Sequence, residues 1–117
     1  MSYVDGFVCA VSKNRLDDYR KLAEIAGQVW KEHGALAYVE CLADDVPYGE
    51  ITSFPRAVQA KDDEVVVLSW ITYASRADRD AINAKVMADP RLKAGMENTP
   101  FDGKRMIYGG FRPILEL

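Results

Sequence analysis

The segment Glu64-Val65-Val66-Val67-Leu68-Ser69-Trp70-Ile71-Thr72-Tyr73 decides the fold. Its ten residues are dense in β-branched and aromatic side chains, the composition of a strand. One alternating set reads Val66, Leu68, Trp70, Thr72; the other reads Val65, Val67, Ser69, Ile71, Tyr73. Neither set is polar, so this strand belongs inside a sheet that has something packed on both faces. Working outward, Ser75 is a helix N-cap with Asp78 three positions on, a capping-box spacing. The helix it opens ends near Ala88, because Asp89-Pro90 stops it and starts a short new turn from Pro90 to about Met96. Asp102-Gly103 then turns the chain into a last strand, Arg105 to about Ile114.

On the N-terminal side, Tyr3 to Val11 forms an almost continuous apolar run and predicts a strand. Asn14 is placed to cap the helix that follows. That helix reaches about His33 with Leu16, Tyr19, Leu22, Ala23, Ala26, Val29 and Trp30 on one stripe. Gly34 suits the left-handed position after its last turn. Leu36 to Leu42 is the second strand. The order is strand, helix, strand, strand, helix, strand. It predicts an α+β, ferredoxin-like βαββαβ fold: a four-stranded antiparallel sheet in the order fourth, first, third, second, with both helices on one face. No repeat or linker divides residues 1–117, which are read as a single domain.

Helices on one face leave the other face to water, yet its residues are apolar. A second copy packed sheet against sheet answers this, giving a homodimer. The structural alternative is that the long connections, residues 44–63 and 89–104, fold back over the sheet. The first of these is expected to hold a helical turn around Phe54 to Ala60, begun by Ser53 and Pro55.

Of 117 residues, 49% are hydrophobic and 28% charged, a globular mix, and the net charge is −3. That balance disfavours a phosphate-backbone binder. RNA-recognition modules share this element order but carry a basic residue, a glycine and exposed aromatics on the third strand; residues 64–73 have neither the basic residue nor the glycine. Nucleic acid is therefore not expected as a partner. No run approaches the roughly 18 apolar residues of a membrane span, and no secretory pattern opens the chain, so no membrane partner and a cytoplasmic location are expected. Cys9 and Cys41 lie in apolar strands without a Cys-x-x-Cys, so buried free thiols are expected and no metal site or cofactor is recognisable.

Several segments resemble the YbaA-like family of small bacterial proteins, domain-of-unknown-function family 1428. They are Tyr3-Val4-Asp5-Gly6-Phe7, Gly34-Ala35 with Glu40-Cys41, Asp45-Val46-Pro47, Val66 to Trp70, Arg79-Asp80 with Asn83, Asp89-Pro90-Arg91, and Pro100 to Phe111. The resemblance implies membership of the dimeric α+β barrel superfamily; it supplies no activity, because the family has no established one. Relatives in that superfamily include cofactor-free oxygenases, haem enzymes, isomerases and proteins without known catalysis, so fold alone does not choose among them.

The candidate ligand-binding residues are Asp5, Trp30, His33, Glu40, Trp70, Arg79, Asn83 and Tyr108. Asp5 and Glu40 interrupt apolar strands, where an inward carboxylate is costly unless paired. The structural alternative puts each at a sheet edge or on an arginine across the dimer seam. Arg79, Asn83 and Met87 recur every fourth residue and share a helix face, either a pocket wall or a solvated surface. His33, the only histidine, is a candidate proton shuttle or haem ligand, or simply a group favoured by the helix C-terminal dipole. Trp30, Trp70 and Tyr108 are core residues or walls of a cavity between sheet and helices. The expected function is binding of a small organic molecule there by a homodimer. The alternatives are a cofactor-independent oxygenase or isomerase and a non-catalytic dimerisation or sequestration module; the residues name no reaction.

Overall fold

The computed structural model describes residues 2–117. Four strands, β1 (Tyr3–Ser12), β2 (Ala37–Leu42), β3 (Glu64–Tyr73) and β4 (Ile107–Phe111), form one antiparallel sheet in the order β2-β3-β1-β4. This is the expected ferredoxin-like order, and β1 and β3 pair along their full lengths from Tyr3 opposite Tyr73 to Ser12 opposite Glu64. Helices α1 (Leu16–Glu32) and α3 (Arg76–Ala88) cover one face, joined by the short α4 (Pro90–Gly95). A four-residue helix, α2 (Phe54–Ala57), lies in the long connection between β2 and β3.

Local chemistry sets the helix ends. The Ser75 hydroxyl accepts from the Asp78 amide at 3.1 Å, and Asp89 caps α4 by accepting from the Arg91 amide at 2.9 Å. At the end of α1, Gly34 takes φ +118°, which lets the Ala35 amide reach the Trp30 carbonyl and the Gly34 amide the Lys31 carbonyl. Those two bonds close the left-handed cap expected there. The start of α1 departs from expectation. Lys13–Arg15 form a 3-10 turn and Arg15 occupies the cap position without a side-chain cap bond. Asn14 does not cap the helix. Arg15 instead reaches back to the Asn98 and Thr99 carbonyls at 2.9 and 3.1 Å.

The last strand is shorter than expected at both ends. Arg105 is withdrawn from it to hold Glu64 with two nitrogens, at 2.8 and 2.7 Å, and Pro113 has no amide to donate to a ladder. The expected turn at 54–60 ends at Ala57, and Gln59 follows with φ +51°.

The strand registers sort the side chains into two faces. Tyr3, Asp5, Phe7, Cys9 and Val11 face the helices with Val67, Ser69, Ile71 and Tyr73. Val4, Val8, Ala10, Val66, Leu68, Trp70, Val39, Cys41, Ile107 and Phe111 lie on the opposite face. The connection 44–63 does fold back onto that face. Val58 is completely buried there against Val8, Ala10 and Val66. It covers one end only, and Leu68, Ile107 and Phe111 stay 39%, 45% and 63% exposed. Segment 89–104 goes elsewhere: Leu92 and Phe101 pack on the helix side of the sheet. Cys9 is buried and Cys41 half-buried, both free, on strands separated by β3.

Candidate functional site

Asp5 sits on an inner strand and points among the helices. Its side chain is nearly buried, so the two alternatives offered by the sequence, a sheet edge or an arginine across a dimer seam, do not describe it. A buried carboxylate needs partners. The Tyr73 hydroxyl, from the neighbouring strand, donates to Oδ2 at 3.0 Å. Arg79 of α3 places Nε 3.4 Å from Oδ1, an ion pair whose alignment makes no hydrogen bond; Arg79 Nε is buried without an acceptor. The Trp30 indole, from α1, donates at 3.1 Å both to the Tyr73 oxygen and to Asn83 Oδ1. Asn83 Oδ1 itself lies 3.3 Å from the Tyr73 hydroxyl. Burial first, and then the charge of Asp5, pushes the Tyr73 phenol well above its ordinary range, so it remains a donor.

Four of the sequence candidates, Asp5, Trp30, Arg79 and Asn83, thus meet in one cluster contributed by β1, α1 and α3. Two further members were not singled out from the sequence. Tyr73 is the hub, and Tyr3 accepts from Arg79 Nη2 at 3.1 Å while its ring lies beneath that guanidinium. Strand parity could have found both, because Tyr3, Asp5, Ile71 and Tyr73 share the helix-facing set.

Glu40 forms a second group beside the first. From edge strand β2 it accepts from the Tyr19 hydroxyl at 2.6 Å and the Tyr38 hydroxyl at 2.7 Å, with no arginine involved. The Tyr38 ring lies 6.0 Å from that of Trp30, which joins the two groups. Cys9 points at the Tyr19 hydroxyl at 3.9 Å, and burial pushes its thiol up to about 11, away from thiolate chemistry at neutral pH.

The other three candidates lie apart from the Asp5 cluster. His33 pairs with Asp89 at 3.1 Å where α1 ends; Asp89 also binds Arg91, which reaches Glu32 at 2.7 Å. Those bonds, Arg91's foremost, hold the Asp89 carboxyl well below the usual range. Trp70 is on the opposite face of the sheet, so it is not a wall between sheet and helices. Tyr108 does face the helix side but is 71% exposed and stacks on Phe7 at 6.3 Å. Met87, the outer member of the every-fourth set on α3, is 55% exposed, so only Arg79 and Asn83 of that set reach the cluster.

Two concavities flank these groups. A small apolar one of about 120 Å³ lies between Cys41, Val66 and Leu68 of the sheet and Val46 and Phe54 of the connection. A larger groove of about 540 Å³ runs past Tyr3 and Gly110, lined also by Ser2, Ser75, Arg76 and Arg112. Gly110 pairs with Asp5 across β1 and β4 and sits under the Arg79–Tyr3 contact, which a Cβ at that position would strike. The absence of a side chain there is what lets the Asp5 cluster extend to the groove. Among the described residues no group of three or more His, Cys, Asp or Glu could hold a metal ion, and no helix is long and apolar enough to cross a membrane.

A four-stranded sheet in this order with its helices on one side defines the chain as a ferredoxin-like α+β protein. Solved structures agree. It superposes on a dimeric ferredoxin-like protein from an uncultured marine organism with a TM-score of 0.64 at 12% identity, covering 100% of this chain and 98% of that one. It also superposes on a NIPSNAP family protein of unknown function from Agrobacterium tumefaciens with a TM-score of 0.59 at 16% identity, covering 96% and 87%. The chain belongs to the protein family of unknown function DUF1428, whose profile matches residues 2–103. It is 55% identical over 116 residues, 99% of each chain, to the uncharacterized protein YbaA of Escherichia coli strain K12.

Proposed function

We propose that the protein is a homodimer, associated sheet against sheet, that binds a small organic molecule where the Asp5 cluster meets the groove at Tyr3 and Gly110. The observation that carries the binding reading is the convergence of Asp5, Tyr73, Trp30, Asn83 and Arg79 on one side of that floor. Five polar side chains gathered in an apolar interior cost more than an apolar core of the same shape unless function retains them. The groove's volume falls within the roughly 300–1,000 Å³ of small-molecule sites. Dimerisation is supported by the uncovered half of the sheet, with Leu68, Ile107 and Phe111 exposed together, and by a structural relative described as dimeric.

Binding is favoured over proton-transfer chemistry by what holds Asp5. The Tyr73 hydroxyl donates to Oδ2 and the Arg79 guanidinium lies against Oδ1, so both oxygens are engaged within the protein rather than presented to a substrate. An oxygenase or isomerase of this fold remains the catalytic alternative. A module that only associates is the other, favoured by the mutual satisfaction of most cluster atoms.

Native mass spectrometry of protein purified without added ligand, alongside sedimentation at micromolar concentration, tests the reading. The expected result is a particle of twice the 13.1 kDa chain mass, stabilised in a thermal-shift screen by at least one metabolite. Asn83→Ala and Tyr3→Phe should each diminish that stabilisation. A 13.1 kDa particle overturns the dimer, and a screen in which both variants behave as the parent overturns the site.

A further inference from the structure

The groove at Tyr3 and Gly110 has a chemical character of its own. Its wall carries two guanidiniums, Arg76 and Arg112, three hydroxyls, Ser2, Ser75 and Tyr3, and no carboxylate. Two like charges lining one concavity repel, and the low-dielectric wall beside them strengthens their field. The available counter-charges do little to offset this. Arg76 has only Asp80, one turn along α3, at 3.9 Å, and both side chains are largely exposed. Among the described residues Arg112 forms no ion pair. Asp80 is shared with Arg79 at 3.3 Å and Asp5 lies behind Arg79; Glu116 keeps its charge and accepts from the Ser2 hydroxyl at 2.8 Å, so Ser2 is spent on that carboxylate and the arginines carry the groove's positive character.

The backbone adds to the same polarity. The groove sits where the thirteen-residue α3 begins, and the positive end of its dipole joins the two arginines. The Ser75 hydroxyl is spent on the Asp78 amide, so it is part of the helix cap rather than a ligand group. Tyr3 differs. Its oxygen accepts from Arg79, which leaves the hydroxyl proton to donate outward. Arg79 thereby polarises the Tyr3 hydroxyl from behind, and Gly110 keeps the space in front of it open.

We propose that this groove takes the oxyanion of a small organic acid or phosphate ester, gripped by Arg76 and Arg112 with the Tyr3 hydroxyl as a third donor. Guanidinium forks match carboxylate and phosphate oxygens in pairs, which an ammonium or a hydroxyl alone does not. The inference rests on the small-molecule reading above and adds the charge class of the ligand. The rest of the molecule would lie along the groove toward Gly110.

Amide-resolved NMR titrations of the full chain with inorganic phosphate and, separately, with succinate test it, sodium chloride being adjusted to constant ionic strength. The expected result is saturable shifts clustered at Tyr3, Arg76, Gly110 and Arg112 with at least one of the two anions; the stronger response separates phosphate from carboxylate chemistry. The Arg76→Gln/Arg112→Gln variant should bind roughly tenfold more weakly or worse while its other resonances stay in place, which reports an intact fold. Shifts that do not saturate, that centre elsewhere, or that persist unchanged in the double variant overturn the proposal. A neutral metabolite that perturbs the same groove while neither anion does would overturn the anion class and leave the small-molecule reading standing.

Discussion

The Tyr73 hydroxyl donates to Asp5 Oδ2 at 3.0 Å across the two inner strands, where Tyr73 pairs directly with Tyr3 and Asp5 is its diagonal neighbour. The diagonal reach is long enough for a phenol and too long for a smaller side chain. Tyr73→Phe would keep the shape and delete the oxygen, leaving Asp5 short of a donor while the Trp30 indole keeps Asn83 Oδ1 as its acceptor. Loss of a buried hydrogen bond of this kind costs about 1–3 kcal/mol. Urea unfolding of the variant should show the free energy of unfolding lowered by that amount, read as a lower midpoint at an unchanged slope.

Gly110 and Gly109 make a matched pair for testing the packing at the cluster's edge. A Cβ at Gly110 would strike the Arg79 guanidinium and the Tyr3 phenol, whereas at Gly109 it would meet Phe111 at an ordinary 3.7 Å. Gly110→Ala should therefore be the more damaging change, by about 1–3 kcal/mol as in other overpacked sites. Comparing the two variants in one thermal unfolding series checks this; equal effects would show that Arg79 and Tyr3 can move aside freely.

Charge placed on the open face should dissociate the proposed dimer. Leu68→Lys and Phe111→Glu each put a charge on exposed apolar surface that, in the proposed dimer, would be buried against a second copy. Sedimentation should report particles of 13.1 kDa for both, with far-UV circular dichroism unchanged. The thiols offer an independent readout. Cys41 lies on that face, so it should react with a disulfide reagent faster as the protein is diluted, whereas buried Cys9 reacts only on unfolding.

Glu64 ties β3 to the segment leading into β4, and its hydrogen bonds from Arg105 foremost lower its carboxyl from 4.5 to about 2. The folded value is below the unfolded one, so the contribution to stability is complete above about pH 4.5. It is lost progressively as the pH falls toward 2. Glu64→Gln should flatten the dependence of stability on pH within that window, measured by denaturant titrations at a series of pH values. Some acid sensitivity should remain, because Arg91 lowers Asp89 and the Lys104 amide and Arg105 lower Asp102 in the same direction.

Much of the fold was legible because its elements are set by local chemistry. The Gly34 cap, the Ser75 and Asp89 caps and the apolar run of β3 each stand where residue type alone put them. Where expectation failed, a distant side chain had intervened. Asn14 lost the cap of α1 once Arg15 was drawn to the carbonyls of residues 98 and 99, and β4 lost its first residues once Arg105 turned to Glu64.

The sequence by itself determined the order of strands and helices, the apolar character of both sheet faces, and the fact that Asp5 and Glu40 needed partners. Hydrophobic period and capping act over a few residues, so they can be read in one dimension. Only the tertiary structure decided who the partners are: Arg79 and Tyr73 for Asp5, two tyrosines for Glu40, and the far face of the sheet for Trp70. Those pairings join residues as many as 74 positions apart, as Arg79 is from Asp5, and they depend on strand register and on how α3 lies across the sheet. No local propensity encodes either.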